Sequence, residues 1–88
     1  MKIEVGKQYI DARGELNYIL YEDESDRYID NKNFIYSENG RLFVEYRDKH
    51  DLICEVVPSI YEEYILKSIS KKEFIKEHIK YWSNNENK

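Results

Sequence analysis

Apolar and polar residues alternate in short stretches over the first two-thirds of the chain. Beyond Pro58, apolar residues return every three or four positions. Alternation predicts half-buried strands, and the longer period predicts amphipathic helices. The centre of the first pattern is Phe34 to Tyr46, two aromatic-rich runs around Asn39-Gly40. Asn-Gly between such runs predicts a type I′ hairpin, because both central residues of that turn take φ > 0. With Asn39 and Gly40 as the loop, Glu38 faces Arg41, Ser37 faces Leu42, Tyr36 faces Phe43 and Ile35 faces Val44. One face then carries Ile35, Leu42, Val44 and Tyr46. The other carries Phe34, Tyr36 and Phe43 among Glu38, Arg41 and Glu45.

Shorter strands are expected on either side of this hairpin. Lys2 to Val5 alternates, Gln8 to Ile10 follows Gly6, and Leu16 to Tyr21 follows a glycine turn at Asp11 to Gly14. Leu16, Tyr18 and Leu20 share one face of that strand, and Asn17, Ile19 and Tyr21 share the other. Arg27 to Ile29 is a short strand between the acidic loop Glu22 to Asp26 and a turn at Asp30 to Asn33. Leu52 to Val57 reads as an interior strand that Pro58 ends. Ser59 with Glu62, and Ser70 with Glu73, have the spacing of capping boxes. They predict helices over Ile60 to Lys67 and Lys71 to Trp82. The second places Phe74, Ile75, His78, Ile79 and Trp82 on one face, and the tail 83–88 is expected to fray. The fold class is α+β: one domain with an antiparallel sheet of four to six strands over 1–57 and a C-terminal helical segment over 59–82.

At 88 residues with 41% hydrophobic content, the chain suits a single modest core. No apolar run is long enough to span a membrane, and the start lacks the apolar stretch of a signal peptide. A cytoplasmic location is expected. The net charge is −4. Residues 1–58 hold 13 acids and 8 bases, and residues 59–88 hold 5 acids and 6 bases, so the acidity belongs to the sheet region. That balance argues against direct binding to nucleic-acid phosphates and permits a basic partner.

Chemistry-bearing residues are sparse. Glu22, Asp23, Glu24 and Asp26 lack the glycine and the twelfth-position glutamate of a calcium loop, so they read as a solvated turn. His50 beside Asp51 has no neighbouring nucleophile, and Cys54 sits in an apolar run as a small core residue. No catalytic group, metal site or cofactor is expected. Tyrosine is abundant, with nine residues, and suits both half-buried sheets and interfaces.

Val5-Gly6-Lys7-Gln8-Tyr9, the Gly14 turn, Tyr36 to Arg41 and His50 to Val56 together form a recurring pattern. In this respect the chain resembles a group of small phage and prophage proteins, over roughly Ile3 to Val57. The resemblance implies a small β domain from an accessory phage gene and carries no active residues. Its class suggests a protein that binds and inhibits a host protein, such as a defence enzyme, in the host cytoplasm. Phe34, Tyr36, Glu38, Arg41, Phe43 and Glu45 are the expected contact residues. The bland alternative makes those aromatics core under the helical segment. A second function is an acidic nucleic-acid mimic using Glu22, Asp23, Glu24 and Asp26. A third is a structural domain, and the apolar hairpin face would also allow a homodimer.

Overall fold

A computed structural model of the chain describes residues 1–42 and 50–86. Five strands, β1 (Gln8–Asp11), β2 (Leu16–Glu22), β3 (Tyr28–Asp30), β4 (Ile35–Tyr36) and β5 (Leu52–Glu55), precede helices α1 (Pro58–Ile65) and α2 (Lys71–Glu86). All neighbouring strands are antiparallel, in the order β4-β3-β2-β1-β5. The α+β expectation holds, with the sheet first and the helices after it. Lys2 to Val5 is not a strand. The Ile3 N–H instead donates to the Glu38 carbonyl at 2.8 Å, which brings the N-terminal segment onto the turn after β4. The Leu52 N–H donates to the Gly40 carbonyl at 2.8 Å. These two bonds tie the β4 turn back to β5 and to the chain start, so the sheet is curled.

One turn is used four times. It starts at Asp11, Asp23, Asp30 and Ser37. In each, the N–H of the fourth residue donates to the carbonyl of the first, at 2.9 to 3.2 Å. The first residue's N–H donates to the carbonyl of the fifth, at 2.8 to 3.1 Å. The fourth residue is left-handed each time: Gly14 at φ +81°, Asp26 at 59°, Asn33 at 68° and Gly40 at 85°. Only glycine, Asn and Asp visit that region readily, which is why they stand there. The first side chain completes the turn by accepting the N–H of the fifth residue, through Oδ1 of Asp11, Asp23 and Asp30 and through Oγ of Ser37. Three of the chain's 18 acids therefore serve turn chemistry.

This corrects the hairpin register. The loop is Ser37 to Arg41, a turn with one left-handed residue, rather than a two-residue type I′ loop; Asn39 does not take positive φ. Tyr36 consequently pairs with Leu42, not Phe43. A one-residue slip exchanges faces, so Tyr36 and Leu42 lie together. The expected pairings of Phe43 and Val44 lie outside the described residues.

Registered partners share a face, and the register separates two cores. Ile3, Tyr9, Ile19, Tyr28, Tyr36 and Leu52 fill the concave inner face, with Phe34 and Leu42 packed against them. Ile10, Cys54, Val56, Val57, Ile60 and Phe74 form the outer core, joined by Leu16, Tyr61, Tyr64 and Trp82. The helices cover that outer face over β5, β1 and the start of β2 at Leu16.

The two capping boxes behave differently. Ser70 Oγ accepts the Glu73 N–H, and Glu73 Oε1 accepts the Ser70 N–H, both at 3.2 Å, so α2 starts as expected. The Ser59–Glu62 box does not form. Pro58 occupies the first helical position and Val57 is the N-cap, with no side-chain cap. Proline needs no N–H partner there and its fixed φ suits a helix start. Lys67, left-handed at φ 59°, closes α1, with the Ser68 N–H reaching the Glu63 carbonyl. The helix α2 runs on to Glu86, past the expected end at Trp82.

Candidate functional site

The described members of the expected contact set do not share one exposed surface. Tyr36 is 0% exposed, and its hydroxyl donates to Asp30 Oδ2 at 3.0 Å. Burial, then the nearby Asp30 carboxylate, push the phenol pKa far up. Asp30 itself accepts the Lys32 and Phe34 N–H groups through its other oxygen. Tyr36 is thus a core residue whose polar end is spent, and it is withdrawn as a partner anchor. Phe34 is half-buried against the inner core and meets His50 edge-on, with centroids 5.6 Å apart. Glu38 and Arg41 are exposed on the turn. Phe43 and Glu45 lie outside the described residues. The cover on Tyr36 comes from the curl of the sheet and from Ile3, not from the helices.

The acidic alternative is also rearranged. Asp23 accepts the N–H groups of Ser25 and Arg27 and pairs with the Arg27 guanidinium at 2.8 Å. The Arg27 N–H bond above all holds its carboxyl below the usual range. Glu22, Glu24 and Asp26 remain exposed. Asp11 and Asp30 are buried and committed to turns, so the described acids do not form a phosphate-like row.

The residues of the acid–base reading are placed apart in role. Asp51 Oδ1 accepts the Leu42 N–H at 2.8 Å, His50 packs on Phe34, and Cys54 belongs to the outer core. Among the described residues, no three His, Cys, Asp or Glu side chains converge as a metal site. A cleft of about 170 Å³ lies between Lys2, Glu4, Lys7, Tyr9, Glu55 and Trp82. Lys7 spans it, pairing with Glu4 at 3.1 Å and Glu55 at 3.2 Å. Its volume is below the range of small-molecule sites. No described helix is long and apolar enough to cross a membrane.

The surface that stands out was not singled out from the sequence. On the outer face, Gln8 pairs with Tyr18, Tyr21 with Ile29, and Ile29 with Ile35. A register shift between Ile19 and Tyr21 inserts Leu20 as an extra residue. It turns Leu20 and Tyr21 outward together, at 49% and 52% exposure. Tyr18 is also exposed; beside these residues Ile29 is buried, at 6% exposure, and Ile35 is half-buried. One continuous sheet face is therefore roofed by the helices over β5, β1 and Leu16 of β2, and exposes Tyr18, Leu20 and Tyr21 beyond them. The sequence signal was present in the alternation of Leu16, Tyr18 and Leu20. The bulge that adds Tyr21 to the same side had no sequence mark.

No family model, curated protein or solved structure matches the chain.

Proposed function

We propose that the protein is a binding module acting by protein–protein contact through the open half of its outer sheet face. The observation that carries this reading is the exposed group Tyr18, Leu20 and Tyr21, next to buried Ile29 and half-buried Ile35, on a part of the sheet face that the helices leave uncovered. Aromatic and aliphatic anchors in one patch are what interface centres are made of. Glu22, Glu24 and Asp26 flank the patch at the β2–β3 turn, so the fitting partner has an apolar centre and basic groups at that end. With the phage-like pattern of Val5 to Tyr9, Tyr36 to Arg41 and His50 to Val56, the reading becomes an accessory phage protein that inhibits a host protein by occupying it. The nucleic-acid mimic is less favoured, because Asp11, Asp23 and Asp30 spend their carboxylates inside turns.

The test compares wild type with Leu20→Asp and Tyr21→Ala as baits in bacterial lysate, with quantitative mass spectrometry. Both variants alter exposed side chains and are expected to melt within a few degrees of wild type. A host protein retained by wild type is expected to fall at least tenfold on both, equivalent to about 1.4 kcal/mol or more. Equal retention on wild type and variants, or no specific retention, would overturn the reading.

A further inference from the structure

His78 is 0% exposed, in the middle of α2. Its Nδ1 lies 2.8 Å from the Phe74 carbonyl, one turn back, and its Nε2 accepts the Val57 N–H at 3.0 Å. A carbonyl cannot donate, so the ring proton is on Nδ1 and Nε2 is the acceptor. The imidazole is neutral, and both nitrogens are used. Val57 is the N-cap residue of α1 and directly follows Val56 at the end of the sheet. One ring therefore joins α2 to the corner where the sheet becomes helical.

We propose that His78 is an acid-sensitive latch: protonating Nε2 sets two N–H donors against each other, and α2 swings off the β5–α1 corner while the inner core keeps the sheet folded. This inference is independent of the proposed binding role. The titratable groups of the surrounding outer core are Cys54 of β5 and Tyr61 and Tyr64 of α1, none of which gains charge as pH falls. On α2 itself, Glu77 and Lys80 are exposed to water. Among the described residues, no carboxylate is placed to neutralise an imidazolium within this core.

Burial lowers the imidazole pKa, and the Phe74 carbonyl on Nδ1 offsets this only in part. The docked state thus binds fewer protons than the released one. Docking is at full strength above the ordinary histidine value near 6.5 and weakens as pH falls below it, towards the lowered pKa of the docked ring. Within that window a single proton changes the opening equilibrium by up to about tenfold per pH unit.

The chain carries its own reporters, one cysteine and one tryptophan, both in the outer core. Cys54 is buried there, and the Trp82 Nε1–H donates to the Glu55 carbonyl at 2.8 Å. The experiment measures labelling of Cys54 by 4,4′-dithiodipyridine from pH 7.5 to 5, with each rate divided by that of cysteine in the same buffer. Trp82 emission and far-ultraviolet circular dichroism are followed in parallel. The relative rate is expected to rise several-fold or more below pH 6.5, with a red shift of Trp82 and a retained strand signal. His78→Gln places an uncharged acceptor near the Nε2 position and is expected to flatten the profile, while His50→Gln keeps it. If His78→Gln does not fold, the imidazole of wild type is titrated by NMR, and its curve is expected to coincide with the labelling curve. A flat wild-type profile, a slope surviving in folded His78→Gln, or strand signal lost in step with Trp82 would each overturn the latch.

Discussion

The inner and outer cores are held in different ways. The inner core is closed by backbone bonds from Ile3 and Leu52 to the turn after β4. Its polar anchors are local: Asp30 receives Lys32, Phe34 and Tyr36, all within six residues. The outer core instead relies on side-chain ties between distant parts of the chain. His78 reaches Val57, Trp82 reaches Glu55, and Lys71 pairs with Glu15 across 56 positions. A meander with short turns assembles through local contacts, whereas docking two helices closes longer loops for each bond gained. The contrast teaches that the sheet is the body of this protein and the helical pair a separable roof over half of one face.

The largest effects should come from truncating the aromatic centre of each core. Tyr36→Ala is expected to cost roughly 3–5 kcal/mol, through the cavity and through Asp30 losing a buried partner. Phe74, at 0% exposure and packed between Tyr61, Tyr64 and His78, should cost a similar amount as alanine. The two should differ in how they melt. Tyr36→Ala lowers the transitions seen by Trp82 emission and by circular dichroism together. Phe74→Ala brings the Trp82 transition forward of the other. Coincident transitions in Phe74→Ala would show that the roof and the body unfold as one unit.

A smaller effect separates two glycines of nearly equal backbone conformation. Gly40 (φ +85°) sits in the closure of the inner core, where an added Cβ would lie 2.8 Å from Met1 Cε and 3.1 Å from Leu52 Cβ. Gly6 (φ +88°) has nothing within 4 Å. Gly6→Ala should cost only the left-handed strain, about 1–2 kcal/mol. Gly40→Val should cost about 2 kcal/mol or more, adding displacement of the chain start and β5. Equal urea midpoints for the two would mean that the turn after β4 does not close the inner core.

The smallest expected difference lies at the helix starts. Ser70→Ala should destabilise by about 1 kcal/mol, because its hydroxyl accepts a helix N–H. Ser59→Ala should stay within about 0.5 kcal/mol, since Val57 is the cap of α1. Thermal melts of the two variants, read by Trp82, give the comparison directly.

Most of the elements are legible in local pattern, the strand expected over Lys2 to Val5 being the exception. Alternation placed β1, β2 and β5 to within a residue or two, and the stripe from Phe74 to Trp82 placed α2 and its buried histidine. Ser70 and Glu73 marked where α2 begins, because a capping box is satisfied within four residues and needs nothing from elsewhere. Glycine at position 40 signalled a left-handed residue, and one is there. The turn around it was misread because a two-residue and a five-residue loop place their glycine alike. What distinguishes them is the Ser37–Arg41 pairing, already hinted at by Asp or Ser three residues before each Gly, Asp or Asn of the repeated turn.

Which faces are covered follows from contacts between distant segments. Whether Tyr36 was core or surface turned on one residue of register, and a slip of one exchanges every side chain between inside and outside. The curl that buries Tyr36 comes from backbone bonds of Ile3 and Leu52 to the turn after β4, contacts between segments far apart in the chain. The bulge at Leu20 that turns Tyr21 outward, and the helices' stopping over β5, depend on how strands of unequal length meet. Local pattern states which residues are apolar. It does not state which apolar face the rest of the chain is long enough to reach.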